Sequence, residues 1–291
     1  MMSIGLMMSG VAALLAAQAP PNTPEPGTIV VTGTRDAKKD IQDFVRALTP
    51  VRIGGGLSRF EQSVCPVVVG LPARQGGAVA NRMRRIAKAV DIDVGGADCV
   101  PNVVVMVTKD KNVLVEELRR RHPHYFGEMS RSQIRKRARQ PGPAVSWQTE
   151  GRPVSARGVE LFYDPAIDAY VNQTTDAASR IETGGRRQFD GAVVVVERAA
   201  LAGLTVTQLA DYAALRALTG ADPTKLKSNA VPTILRILDA PAGSEVPASL
   251  TERDLAFLRG YYSSPLNHHT GAQRSAISRT IEQEAERRVV K

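Results

Sequence analysis

Aromatic side chains are scarce. They make up 4% of the chain, with Trp147 the single tryptophan, which leaves little stacking surface for single-stranded nucleic acid or carbohydrate. Cysteine occurs twice and never as CxxC, which argues against a thiol redox centre. No internal segment is apolar for long enough to cross a bilayer. The phosphate-cradling patterns GxGxxG and GxxxxGK(S/T) are missing, as is the GxSxG elbow of serine hydrolases. There is no helix-turn-helix, zinc-finger or RNA-binding signature either, so nucleic acid is not an expected partner. What is present suits an ordinary globular protein: 43% of the 291 residues are apolar, enough to fill the core of one large domain.

The N-terminal stretch points to a compartment. From Ile4 to Ala19 the chain is uncharged and mostly apolar, and it ends in Ala17-Gln18-Ala19 before a proline-rich run. This predicts a secretory signal peptide over residues 1–19, cleaved after Ala17 or Ala19, although no Lys or Arg precedes the apolar run. An uncleaved anchor is the alternative, but these residues fall short of the roughly 20 that span hydrocarbon. In an exported chain Cys65 and Cys99 are most simply one disulfide, with two separate buried thiols as the other reading. Each precedes an apolar run, Pro66–Val69 and Val103–Val107, with helical periodicity between them. Adjacent parallel strands joined by a crossover helix would bring both cysteines to one end of the sheet.

Residues 20–36 read as a linker with a short β segment. Its Gly27-Thr28-Ile29-Val30-Val31-Thr32-Gly33-Thr34-Arg35 resembles the stretch that follows the TonB box in TonB-dependent outer-membrane receptors, which implies docking to an envelope partner. The remaining chain lacks the alternating strands of a receptor barrel. Ile41, Phe44, Val45 and Leu48 then mark one helix face, and Val79, Met83, Ile86 and Val90 another. Further strands are predicted at Val145–Trp147, Val159–Tyr163 and Ala192–Val196, the last central and covered on both faces. Helical signals follow at 205–219, 232–239, 251–262 and 272–290. The fold class expected is α+β, with a mixed sheet and crossover helices followed by a helical C-terminal part. One domain over 37–265 precedes a C-terminal helix or tail over 266–291.

Charge is concentrated. Arg119, Arg120, Arg121, Arg131, Arg135, Lys136, Arg137 and Arg139 stand against two acidic residues between Glu117 and Gln140, so this window supplies +6 of the formal +9. The stretch is either a solvated face or a site for an anionic envelope polymer or membrane surface.

The most strongly marked helix begins at Thr205, an N-cap with Gln208 as its capping-box partner and Leu204 and Leu209 as a staple, and it stops at Gly220. A central strand, this long helix closing at glycine, Thr233-Ile234-Leu235, and then Leu250-Thr251 with Asp254, Leu258 and Tyr261 resemble the zincin metallopeptidase layout. The likeness is closest to secreted Gram-negative proteins that are degenerate members of it. A working zincin carries H-E-x-x-H here, two histidines for zinc and a glutamate to activate its water. The resemblance puts those positions at Ala213, Ala214 and Ala217, none able to bind metal or move a proton. The four histidines, His122, His124, His268 and His269, lie elsewhere. No metal, cofactor or catalytic residue is therefore expected. The function expected is a non-catalytic binding or scaffold protein of the cell envelope, its partner an envelope protein or anionic polymer. The alternative is an envelope hydrolase using Asp211 or Asp254, or a carboxylate pair among Asp239, Glu245 and Asp254.

Overall fold

A computed structural model describes residues 34–50, 55–175, 178–180, 182–226, 231–241 and 243–289. The expected signal peptide and all but the end of the linker lie outside these residues. Among the described residues no helix is long and apolar enough to cross a membrane.

Four strands form the main sheet: β1 (Pro66–Val69), β2 (Val103–Thr108), β3 (Ala144–Glu150) and β6 (Phe189–Glu197), in the order β1-β2-β6-β3. The first two pair in parallel, Pro66 opposite Val103, and β2 pairs in parallel with β6. Strand β3 turns back and pairs antiparallel with β6, Ala144 opposite Val196, so the sheet is mixed and β3 is an edge. Helix α2 (Ala73–Ala89) makes the crossover from β1 to β2.

Alternation along the strands sorts side chains into two cores. Val103, Val105, Val194 and Val196 face a large core shared with α1 (Thr34–Leu48), α2, α5 (Val206–Thr219) and α6 (Glu252–Ser263). Val104, Met106, Val145, Trp147, Val193 and Val195 face a smaller one closed by α3 (Lys111–Arg121), a 3-10 turn at Pro123–Phe126, and α4 (Arg131–Ala138). The sheet therefore lies between two helical layers, which explains the unbroken valine run of β6. Helix α7 (Thr270–Val289) lies against α6 and α1, with Ile277 and Ile281 buried in the large core.

Cys65 and Cys99 are joined as a disulfide, one sulfur just before β1 and the other shortly before β2. Asn102 locks the junction, accepting from the Cys65 amide at 2.7 Å and donating to the Ser63 carbonyl at 3.0 Å. Gly95 has no room for a side chain, since a Cβ there would stand 2.5 Å from that of Cys99.

Three local expectations are corrected. The linker does not run to residue 36, because α1 already begins at Thr34, with Asp36 in its first turn favouring the helix dipole. The strand expected at 159–163 is broken in two: Glu160 forms an isolated antiparallel bridge with Val154, and Phe162–Asp164 (β4) form a hairpin with Ala169–Val171 (β5). Val159 and Phe162 are exposed there, so no core face holds a longer run. The helix expected at 232–239 is a single 3-10 turn, Ile234–Arg236, whose first amide is capped by the Asp254 carboxylate at 2.9 Å and whose backbone bonds, Arg236 to Thr233 and Ile237 to Ile234, span three residues rather than four.

Helix α5 ends as its glycine requires. Gly220 sits at φ 68°, in the left-handed region, and a Cβ there would lie 2.8 Å from Gln148 Oε1. Gly220→Ala is therefore expected to cost about 1–2 kcal/mol of stability, read from the urea midpoint.

Candidate functional site

Helix α5 is the natural place to look for chemistry, and it is enclosed. Its capping box forms as the sequence requires, Thr205 Oγ1 accepting from the Gln208 amide at 3.1 Å and the Gln208 side chain accepting from the Thr205 amide at 2.9 Å. From Gln208 to Thr219 every residue is buried. Ala213, Ala214 and Ala217 are 0% exposed and belong to the large core. Methyl groups there let α5 approach the sheet and α2 closely, and they offer no lone pair to a metal. The zinc that the zincin resemblance implies does not fit these residues. Among the described residues no three His, Cys, Asp or Glu side chains are grouped to hold a metal ion.

The carboxylates considered for hydrolysis are committed elsewhere. Asp211 is 0% exposed and accepts from Arg82 Nε at 2.7 Å, Arg82 Nη2 at 3.1 Å, Ser249 Oγ at 2.7 Å and the Leu250 amide at 2.7 Å. Asp254 caps α6 and accepts from Thr233 Oγ1 at 2.6 Å and from the amides of Ile234 and Thr251 at 2.9 and 3.0 Å. Burial pushes the Asp254 carboxyl above its ordinary range, and these donors pull it back. Asp239 and Glu245 are exposed, and loss of water raises the Asp239 carboxyl while Arg216 and Arg236 oppose the rise. The histidines form no metal-holding group among the described residues: His122 and His124 meet edge to face at 5.8 Å, both exposed beside Tyr125, and His269 contacts the Ser179 carbonyl.

The basic stretch divides. Arg119 pairs with Glu116 and Arg121 with Glu117, while Arg120, Arg131, Arg135, Lys136 and Arg139 are exposed on the outside of α3 and α4. Arg137 turns the other way. It shares a face of α4 with Gln133, one turn earlier, and both line a cleft of about 410 Å³.

This cleft is built from both helical layers. One wall comes from Phe126, Glu128, Met129 and α4, the other from the end of α1 and the Thr219-Gly220 end of α5. Between them lie Gln148, Thr149 and Glu150, the last residues of β3. Because β3 pairs, among the described residues, only with β6, walls drawn from opposite faces of the sheet leave its unpaired edge as the floor. Earlier in the strand, Ala144–Trp147 are buried, so the open edge begins at Gln148. Gln148 Nε2 donates to the Arg216 carbonyl at 2.8 Å, Tyr262 OH to that of Leu218 at 2.7 Å, and Tyr261 OH to that of Thr219 at 3.3 Å. The last-turn carbonyls of α5 are thus satisfied without a ligand.

The cleft carries charge of both signs. Arg187 reaches Glu128 at 3.5 Å and the Gly151 carbonyl at 3.3 Å. Asp222 accepts from Gln140 Nε2 through both oxygens at 3.1 Å, and from the Thr224 amide and hydroxyl at 3.1 and 2.8 Å. Sequence reasoning singled out Arg137 only as one of eight cations, and it missed Gln148, Thr149 and Ser58. Strand alternation marks faces but not edges, so no local signal shows them. Comparison with family models, curated proteins and solved structures gives no match.

Proposed function

We propose that this chain is a non-catalytic binding protein of an oxidising, extracytoplasmic compartment, built on a zincin-like layout, which receives an extended polypeptide segment in the cleft along β3. One observation carries the reading. The three α5 positions that the resemblance assigns to zinc and its base are alanines at 0% exposure, while the cleft at the end of the same helix stays open beside an unpaired strand edge. No catalytic step passes through α5.

An extended peptide supplies what that edge lacks. Its main chain extends the ladder and its side chains fall alternately toward the two walls. Leu48, Phe126, Met129 and Phe189 offer apolar contact there, and Gln133 and Glu150 polar contact. The layout is supported by element order: β6 feeds α5, α5 stops at Gly220, and the Thr233–Leu235 turn leads to α6 capped at Thr251. The disulfide and the signal expected in residues 1–19 support export.

Equilibrium dialysis of the full chain against a pool of N-acetylated randomised decapeptides tests this. A subset retained by the protein and recovered at intact mass is expected. Truncated peptides, or no retention at all, would contradict it.

A further inference from the structure

Two polar groups in the cleft have nothing to bond. Arg137 is half-buried and, among the described residues, makes no side-chain hydrogen bond and has no carboxylate within ion-pair distance. Loss of water pushes its guanidinium below the ordinary arginine range, Asp222 opposes this from a distance, and Arg216 adds to it. The guanidinium stays charged at any physiological pH. Ser58, at the opposite wall, is 1% exposed, and its hydroxyl is buried without a partner. Buried polar groups are nearly always paired, and a guanidinium presents a planar fork of donors suited to a carboxylate.

Both groups lie toward the closed end of the cleft. Arg137 feels Asp222 and the guanidinium of Arg216, which donates to Ser146 Oγ at 3.0 Å on the covered part of β3, two residues before Gln148. Ser58 stands beside Thr219, since one hydroxyl, that of Tyr261, bonds the carbonyls of both, at 2.8 and 3.3 Å. The ion pair of Arg187 with Glu128, and the bond of Arg187 to Gly151, lie at the other end, beyond Glu150. A strand laid on β3 must therefore stop near Gln148, and one of its termini faces Arg137. Lys225, exposed and without an ion pair, lines the same cleft. Asp222 keeps its charge and acts on Arg137 from a distance, but its oxygens are turned to Gln140 and Thr224 and it makes no ion pair with Arg137, while Glu128 is paired with Arg187.

We infer that the cleft recognises the C-terminal carboxylate of its peptide, which runs antiparallel to β3 and ends on Arg137. The inference rests on the peptide-binding reading. Charge sets the direction: a parallel strand would bring a cationic amino terminus against Arg137 and Lys225, which is repulsive. An internal segment of a folded partner would have to leave through the covered part of β3.

The test uses the full chain and one N-acetylated randomised decapeptide pool in two forms, ending in a free carboxylate or in a primary amide. The carboxylate form is expected to bind about tenfold or more tightly than the amide form. Arg137→Gln is expected to erase that preference, and Arg137→Lys to restore part of it. Lys225→Gln, at an exposed site, is expected to reduce it. Arg137 bonds to nothing, so its variants are expected to keep the wild-type thermal midpoint. Equal binding of the two forms, or a preference that survives Arg137→Gln, would overturn the inference and leave the peptide-binding reading standing. Binding of neither form would overturn both.

Discussion

Asp211→Ala is expected to destabilise the protein by about 3–5 kcal/mol, measured as a fall in the urea midpoint at constant slope. The carboxylate is fully enclosed and receives four hydrogen bonds, from Arg82, Ser249 and Leu250. Removing it takes the acceptor from the half-buried Ser249 hydroxyl and Leu250 amide, and leaves a guanidinium without its charge partner. The Arg82 side chain is 29% exposed and can regain water, which holds the loss toward the lower end of that range. Asp211→Asn keeps one acceptor oxygen and is expected to cost less, about 1–3 kcal/mol. A catalytic aspartate would behave differently, because its replacement abolishes turnover while leaving stability nearly unchanged. A change below about 0.5 kcal/mol for Asp211→Ala would therefore revive the hydrolase alternative.

The second large effect belongs to the disulfide. The double variant Cys65→Ser, Cys99→Ser is expected to lose about 4 kcal/mol, from the entropy of opening a loop of roughly 35 residues in the unfolded chain. The folded state adds a reason of its own. Strand β1 has four residues and, among the described residues, a single neighbouring strand, β2, and the bridge ties their adjoining ends together. Reductant is expected to lower the wild-type midpoint to that of the double variant and to leave the variant unmoved. A loss under about 1 kcal/mol would mean that Asn102 and the parallel ladder hold β1 by themselves.

Features encoded in contiguous residues were legible in the sequence. The periodicity of α2 between two valine runs implied a parallel crossover and brought the two cysteines together, and the structure forms both. The capping box at Thr205 located α5 to the residue, and the unbroken valines of β6 marked a strand covered on both faces. Long-range pairing was not legible. Nothing in Val145-Ser146-Trp147 says that its strand runs antiparallel or lies at an edge, since alternation is the same for either. Helix α4 escaped notice because only Ile134 and Ala138 bury an apolar face, too few for a period, and its start rests on the Ser130–Gln133 capping box.

The site was harder still to read for the same reason. Arg137 differs from its basic neighbours on α4 in the face of the helix that it occupies, and that face acquires meaning once β3 ends beneath it. Asp211 stood out as a polar residue in an alanine-rich helix. Its partner Arg82 lies 129 positions away, so the sequence left open whether it served chemistry or packing.

Hydrogen–deuterium exchange of the full chain, with and without the N-acetylated decapeptide pool, tests the binding reading most directly. Peptide binding is expected to slow exchange in Ala144–Glu150, most at its open end from Gln148, while α5 is already slow in both states because it is buried. Bound peptide that leaves β3 exchange unchanged would contradict strand addition at this edge and move the site elsewhere on the molecule.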